Sequence, residues 1–417
     1  MSYIHYSYIH YDGCMRICRV CDRHHRGGGV LLLGPRSGAG AMSTTSGSTT
    51  LGSVAPMVHA RRRAALRALL HFHDLDALLV TDLLNVRYLA GFTGSSAALL
   101  VDAGGEEHTV FCTDGRYDTQ SHRQVPDLRR VIERAGDLRL AKEAADRGVE
   151  RLGFESHVVT VDSHAALAEV TGADRLRRAA RLVEQLRLVK DAAEVAALRA
   201  ACAAADTALE GLLAAGGLRP GRTERQVARD LEDRMVQAGA AGPSFETIVA
   251  AGPNSAVPHH RPTDAELQRG DLVKMDFGAL VEGYHSDMTR TVVLGAPAAW
   301  QRELYDLVVA AQAAGRDALH PGADVREVDG AARGVIADAG RGEEFLHGLG
   351  HGVGLQIHEA PALSPRGVGR LEAGMAVTVE PGVYLADRGG VRIEDTLVVS
   401  DGEPELLTLT TKDLVAV

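Results

Sequence analysis

The stretch Asp271–Val293, DLVKMDFGALVEGYHSDMTRTVV, decides how the chain is read. Two alternating apolar runs flank Glu282-Gly283, which predicts a β-hairpin closed by a two-residue turn. With Val281 paired to Tyr284, the register sets Asp276 opposite Thr289 and Asp287 opposite Gly278. The two aspartates then share one face of the ribbon as diagonal neighbours, roughly 7–8 Å apart at the backbone, a gap that side chains close. Two carboxylates on one buried face repel unless a cation lies between them. A solvated polar face gives the same pattern, so the choice falls to the rest of the chain.

Ala376–Val399 supplies a second ribbon, AVTVEPGVYL and VRIEDTLVV joined by ADRGG. A turn centred on Asp387 sets Glu380 opposite Glu394 on one face, which Arg392, two residues from Glu394, shares. An exposed charged edge would look alike. These acids, however, sit inside hydrophobic runs, where an unpaired buried carboxylate costs on the order of several kcal/mol.

Between the ribbons lies His347–Glu359, HGLGHGVGLQIHE. His347 and His351 have the spacing of a zinc-binding helix, but glycines at 348, 350, 352 and 354 argue against a helix. Gly348 also stands where that motif needs its glutamate. Glycine-rich backbone suits close approach to a site, with His351 and His358 placed by loop and strand. A lone histidine is more often a satisfied core residue than a ligand; three interleaved with glycine favour function. Four carboxylates and one imidazole can bind two divalent ions about 3.5–4 Å apart. So oxygen-rich a set favours Mn2+, with Co2+, Fe2+ or Zn2+ as the other candidates.

The remaining sequence is that of a globular protein. Its 417 residues allow two domains, 45% are hydrophobic, and a formal charge of −10 gives no support to nucleic-acid or anionic-membrane binding. No apolar run approaches the roughly 20 residues of a membrane helix, and the cytoplasm is the expected compartment. Residues 1–56 differ in texture. SYIHY occurs twice, a Gly/Ser/Thr-rich tract runs from Gly34 to Ser53, and Cys14, Cys18 and Cys21 precede His24 and His25. This segment reads as a disordered extension or a misassigned start, the chain proper beginning at Met42 or Met57, rather than as an iron–sulfur or zinc module.

From Met57 the chain reads as a small α/β domain, residues 57–181: a basic amphipathic helix with Leu66, Leu69 and Leu70 on one face, then alternating strands and helices. Residues 182–417 form the second domain. It opens on a mostly helical stretch, Leu182–Leu213, with an i,i+4 pair between Lys190 and Glu194. A further helix, Thr223–Ala238, precedes the loop Gly252–Thr263, which carries His259 and His260. Cys112 and Cys202 lie in apolar settings and read as core thiols.

In combination the motifs MDFGA, SDMTRT, HGLGHGVGL, TVEPGVY and VRIED resemble those of the pita-bread metallopeptidases, in particular the Xaa-Pro aminopeptidases and Xaa-Pro dipeptidases. The resemblance covers roughly Met57–Val417. It implies an α+β chain with a C-terminal pita-bread catalytic domain behind a smaller α/β domain. It also implies that Asp276 chelates one metal ion, that His351 and Glu380 bind a second, and that Asp287 and Glu394 bridge them. His259 and His358 match the substrate-side histidines and Arg392 the supporting arginine. The implied activity is hydrolysis of the bond between an N-terminal residue and proline, by a homodimer acting on peptides with proline second. NVRYLAGFTGSS (85–96) resembles the N-terminal domain of short bacterial aminopeptidases and tilts the expectation towards the aminopeptidase, with the dipeptidase as alternative. A non-catalytic pita-bread binding protein is disfavoured by the filled ligand set.

Overall fold

A computed structural model describes residues 55–417. The SYIHY repeats, the three early cysteines and the Gly/Ser/Thr tract lie outside the described residues.

The helix Ala55–Phe72 buries Leu66 and Leu70 completely, while Leu69 is half-buried. Arg62 and Arg63 are buried on it too, because acids meet them: Asp191 and Glu194 for Arg62, Glu106 and Asp127 for Arg63. Behind it lies a six-stranded mixed sheet, ordered Arg129–Ile132, Val110–Thr113, Ala97–Asp102, Ala77–Val80, Leu152–Phe154, Leu176–Arg178. Ala77–Val80 is buried throughout, as a central strand covered on both faces must be. Cys112 and Cys202 are buried free thiols.

The helical stretch after residue 181 is broken. Leu182–Arg187 ends before Asp191, which caps the next helix, Ala192–Ala214, in a reciprocal box with Glu194. Lys190 thus falls outside that helix, and the expected Lys190–Glu194 pair does not form. The Lys190 ammonium donates to Glu359 instead, at 3.1 Å.

Both ribbons form in the expected registers. In the first, Val281 pairs with Tyr284 and Asp276 with Thr289. Glu282 and Gly283 take φ of 48° and 76°, the positive pair of a type I′ turn. In the second, Val379 pairs with Asp395 and Gly382 with Arg392, which leaves Glu380 facing Glu394. Each ribbon changes sheet midway. Leu272–Phe277 and Met288–Val293 join Ile248–Ala251, whereas Ala279–Val281 and Tyr284–His285 join Gly242–Pro243. Ala376–Val379 and Asp395–Val398 belong to a five-stranded sheet with Gly350–Gly352, and Gly382–Leu385 pairs with Gly389–Arg392 in a separate two-stranded sheet. A bridge between Thr289 and Glu394 joins the two ribbons. Two helix pairs back them: Ala192–Ala214 with Glu224–Gln237, and Ala299–Asp317 with Val325–Asp338. No helix among the described residues is long and apolar enough to cross a membrane.

Candidate metal centre

The acids gather where the ribbons change sheet. At Gly278 a Cβ would come 1.9 Å from the Ser286 carbonyl oxygen, so the backbones can pass there only without a side chain. Asp276 and Asp287 flank that crossing. Glu380 and Glu394 occupy the matching break in the second ribbon, and the Glu394 amide donates to the Thr289 carbonyl at 3.1 Å. Between the ribbons the short strand Gly350–Gly352 delivers His351. A Cβ at Gly350 would lie 2.0 Å from the Thr378 carbonyl oxygen, and one at Gly352 2.1 Å from that of Ala360. The glycines let His351 press against the ribbon that carries Glu380.

Asp276, Asp287, His351, Glu380, Glu394, His259, His358 and Arg392 all line one cavity of about 550 Å³. Within it Asp287, His351 and Glu394 each offer a ligand atom, all within 4.8 Å of one another. His351 Nε2 lies 3.5 Å from Asp287 Oδ2 and 3.5 Å from Glu380 Oε1. Its Nδ1 is 3.0 Å from the Gly352 carbonyl oxygen, which can only accept. That bond fixes the proton on Nδ1 and frees the Nε2 lone pair for a cation. Asp276 stands apart from the tight trio because the Arg392 guanidinium grips its Oδ2.

Two buried carboxylate oxygens, Asp276 Oδ1 and Glu394 Oε1, have no hydrogen-bond partner. A buried acceptor left so costs about 1–3 kcal/mol, and more when charged. The electrostatics agree. Burial drives Asp287 up to about 6 and Glu380 up to about 7, and burial plus the neighbouring acids raises Glu394 well above the carboxylate range. His351 is held up at about 9: burial opposes its charge, but the bond to Asp287 and the field of Glu380 outweigh it. Acids that cannot all ionise together, beside an imidazole whose Nε2 proton a cation would displace, form a donor set that positive charge would complete. Oxygen donors with one imidazole fit hard to borderline divalent ions.

His358 stacks edge-on against His351, ring centres 4.4 Å apart. His259 and His358 are both pulled below the usual histidine value, first by desolvation, which leaves neutral rings facing the cavity. The His259 loop is anchored from beneath: buried Lys274 donates to the Val257 carbonyl at 2.6 Å, and Arg392 to that of Pro258 at 3.1 Å. His260 turns instead to Glu224, 2.8 Å away.

Several participants escape the sequence reading. Tyr384 accepts from Arg392 at 2.9 Å and donates to His347 Nε2 at 2.8 Å. His347 is thereby a lining residue and a buttress of Arg392. Thr289 donates to Glu394 Oε2 at 2.7 Å, and Thr378 to Glu380 Oε1 at 3.4 Å. Tyr384 was within reach of the alternation, since Glu380, Gly382 and Tyr384 follow at period two. The threonines carry no such signal.

Comparison with known proteins gives the family. The family model described as metallopeptidase family M24 matches residues 196–401, and that described as the creatinase/prolidase N-terminal domain matches residues 62–189. The chain is 41% identical to the uncharacterized peptidase YqhT of Bacillus subtilis, over 84% of this chain and 98% of that one. The solved structure of an Xaa-Pro dipeptidase from Bacillus anthracis matches with a TM-score of 0.82 at 38% identity, covering 86% of this chain and 100% of that one. An X-Pro aminopeptidase from Thermotoga maritima matches at 0.78 and 31%, covering 85% and 99%.

Proposed function

The chain belongs to metallopeptidase family M24 and carries the creatinase/prolidase N-terminal domain, and from that premise we propose that it hydrolyses the bond between an N-terminal residue and proline. The observation that carries the reading is the cavity holding five residues of metal-ligating type, with two buried carboxylate oxygens unpartnered. In this reading Asp276, Asp287, His351, Glu380 and Glu394 hold two divalent ions, Mn2+ foremost. Such a pair supplies acidified water and a positive field for a carbonyl oxygen. Glu380, which lines the cavity beside His351, would take a proton from water and return it to the departing proline nitrogen. His358 donates an imidazole N–H to the oxygen that gains charge, and His259 holds the peptide on the leaving side. Arg392 holds Asp276 in place through its Oδ2. The X-Pro amide lacks an N–H, and its ring restricts the preceding residue, so a dedicated cavity suits it.

The sequence alone tilted the reading towards the aminopeptidase. The higher identity and TM-score of the Bacillus anthracis dipeptidase favour the dipeptidase instead. We therefore take Xaa-Pro dipeptides as the preferred substrate and longer Xaa-Pro peptides as the second reading. The test is a series running from Ala-Pro to Ala-Pro-Xaa and longer, assayed after chelation and after re-addition of Mn2+, Co2+ or Zn2+. Activity that disappears on chelation, returns with metal and is greatest on the dipeptide is expected. Faster cleavage of the longer peptides would select the aminopeptidase, and metal-independent cleavage would overturn the reading.

A further inference from the structure

Glu359 follows His358 directly, yet it is not a cavity residue. Its carboxylate is only 6% exposed and is gripped from two sides. Oε1 accepts from Arg187 Nη2 at 2.5 Å and from the Gln356 amide at 2.9 Å, and Oε2 from Lys190 at 3.1 Å. The loop before His358 folds around this carboxylate. A Cβ on Gly354 would stand 2.9 Å from both Glu359 oxygens, and the Gly354 amide donates to the Gln356 carbonyl at 3.0 Å. Neither cation comes from the loop. Arg187 ends the short helix Leu182–Arg187 and Lys190 lies in the break after it, on the connector from the six-stranded sheet to the peptidase domain.

Arg187 reaches back as well as forward. Its Nη1 donates to Asn85 Oδ1 at 2.9 Å, and Asn85 Nδ2 donates to Glu155 Oε1 at 2.7 Å and Glu184 Oε1 at 3.1 Å. A buried polar chain therefore runs from the N-terminal sheet, through one guanidinium, to the residue beside His358. A side chain that must place a hydrogen bond within tenths of an ångström needs its neighbours locked. We propose that Arg187, acting through Glu359, is a positioning residue for His358, so that the interdomain connector sets the aim of that histidine.

The proposal rests on the role given to His358 above, and a double-mutant cycle separates the two. Full-length Mn2+-loaded wild type, Arg187→Met, His358→Ala and the double variant are assayed on the proline peptide that the wild type cleaves fastest, with metal content measured for each. Arg187→Met is expected to lower kcat about tenfold or more, with KM within about twofold and metal content unchanged; a misaimed group typically costs this much or more. In the His358→Ala background the same substitution is expected to change kcat by less than about twofold, since nothing remains to be aimed. Arg187→Lys should recover part of the loss. Equal losses in both backgrounds, or lost metal, would overturn the proposal and leave Arg187 a stability residue. Unchanged kcat in His358→Ala alone would instead overturn the role of His358. Where Arg187→Met does not fold, Glu359→Gln, which keeps the shape of the side chain, enters the same cycle under the same criterion.

Discussion

A carboxylate at Asp287 has burial and the neighbouring acids against it, and the His351 imidazole and the Arg392 guanidinium in its favour. With Asp287 at about 6 and Glu380 at about 7, both sit above the ordinary carboxylate range when no cation is present. Raised acids stabilise the fold fully below about pH 4 and lose that contribution as pH rises through 6 to 7. His351, at about 9, adds to the loss at higher pH. Buried His347, pulled down to about 3, works the other way up to its unfolded value. The clean readout is therefore a difference. The gain in Tm on adding Mn2+ to chelated protein should grow from pH 5 to pH 8, because the cation replaces protons that are lost over that range. Asp287→Asn should cut metal content and flatten this dependence. A gain independent of pH by calorimetry would contradict the assignment of these acids.

At the scale of the element, both registers were legible because a hairpin's side-chain period is two and its turn residues declare themselves. Glu282-Gly283 and the turn around Asp387 each fix where two of the four acids face. What alternation could not reveal is that each ribbon changes sheet at the acids, for that depends on which other strands come alongside. The same limit explains the Lys190–Glu194 pair. Helical spacing is visible in the sequence, but the cap at Asp191 that removes Lys190 from the helix is decided by the partners waiting elsewhere, Glu359 among them. The glycines around His351 were read correctly as marks of close approach, though not of what approaches. Gly350→Ala would drive a methyl group into the Thr378 carbonyl oxygen. The strand must then move by an ångström or so, and kcat should fall by about a hundredfold. Near-normal kcat would show that His351 does not depend on this contact.

Across the described residues, a sheet-bearing N-terminal unit and a two-ribbon metallopeptidase domain share one connector, and that connector touches the loop that carries His358. The fold class and family were legible from five short motifs, since the chemistry needs acids at fixed registers and glycine where backbones cross. The choice between dipeptidase and aminopeptidase was not, because the five motifs describe the candidate ligands and not the length of peptide admitted. The central claim is that Asp276, Asp287, His351, Glu380 and Glu394 converge on a pair of cations. Anomalous scattering from a crystal grown with Mn2+ tests it most directly. Two peaks about 3.5–4 Å apart, both in contact with Asp287 and Glu394, are predicted. A map with no peak among these five residues, or with its manganese bound elsewhere, would contradict the account.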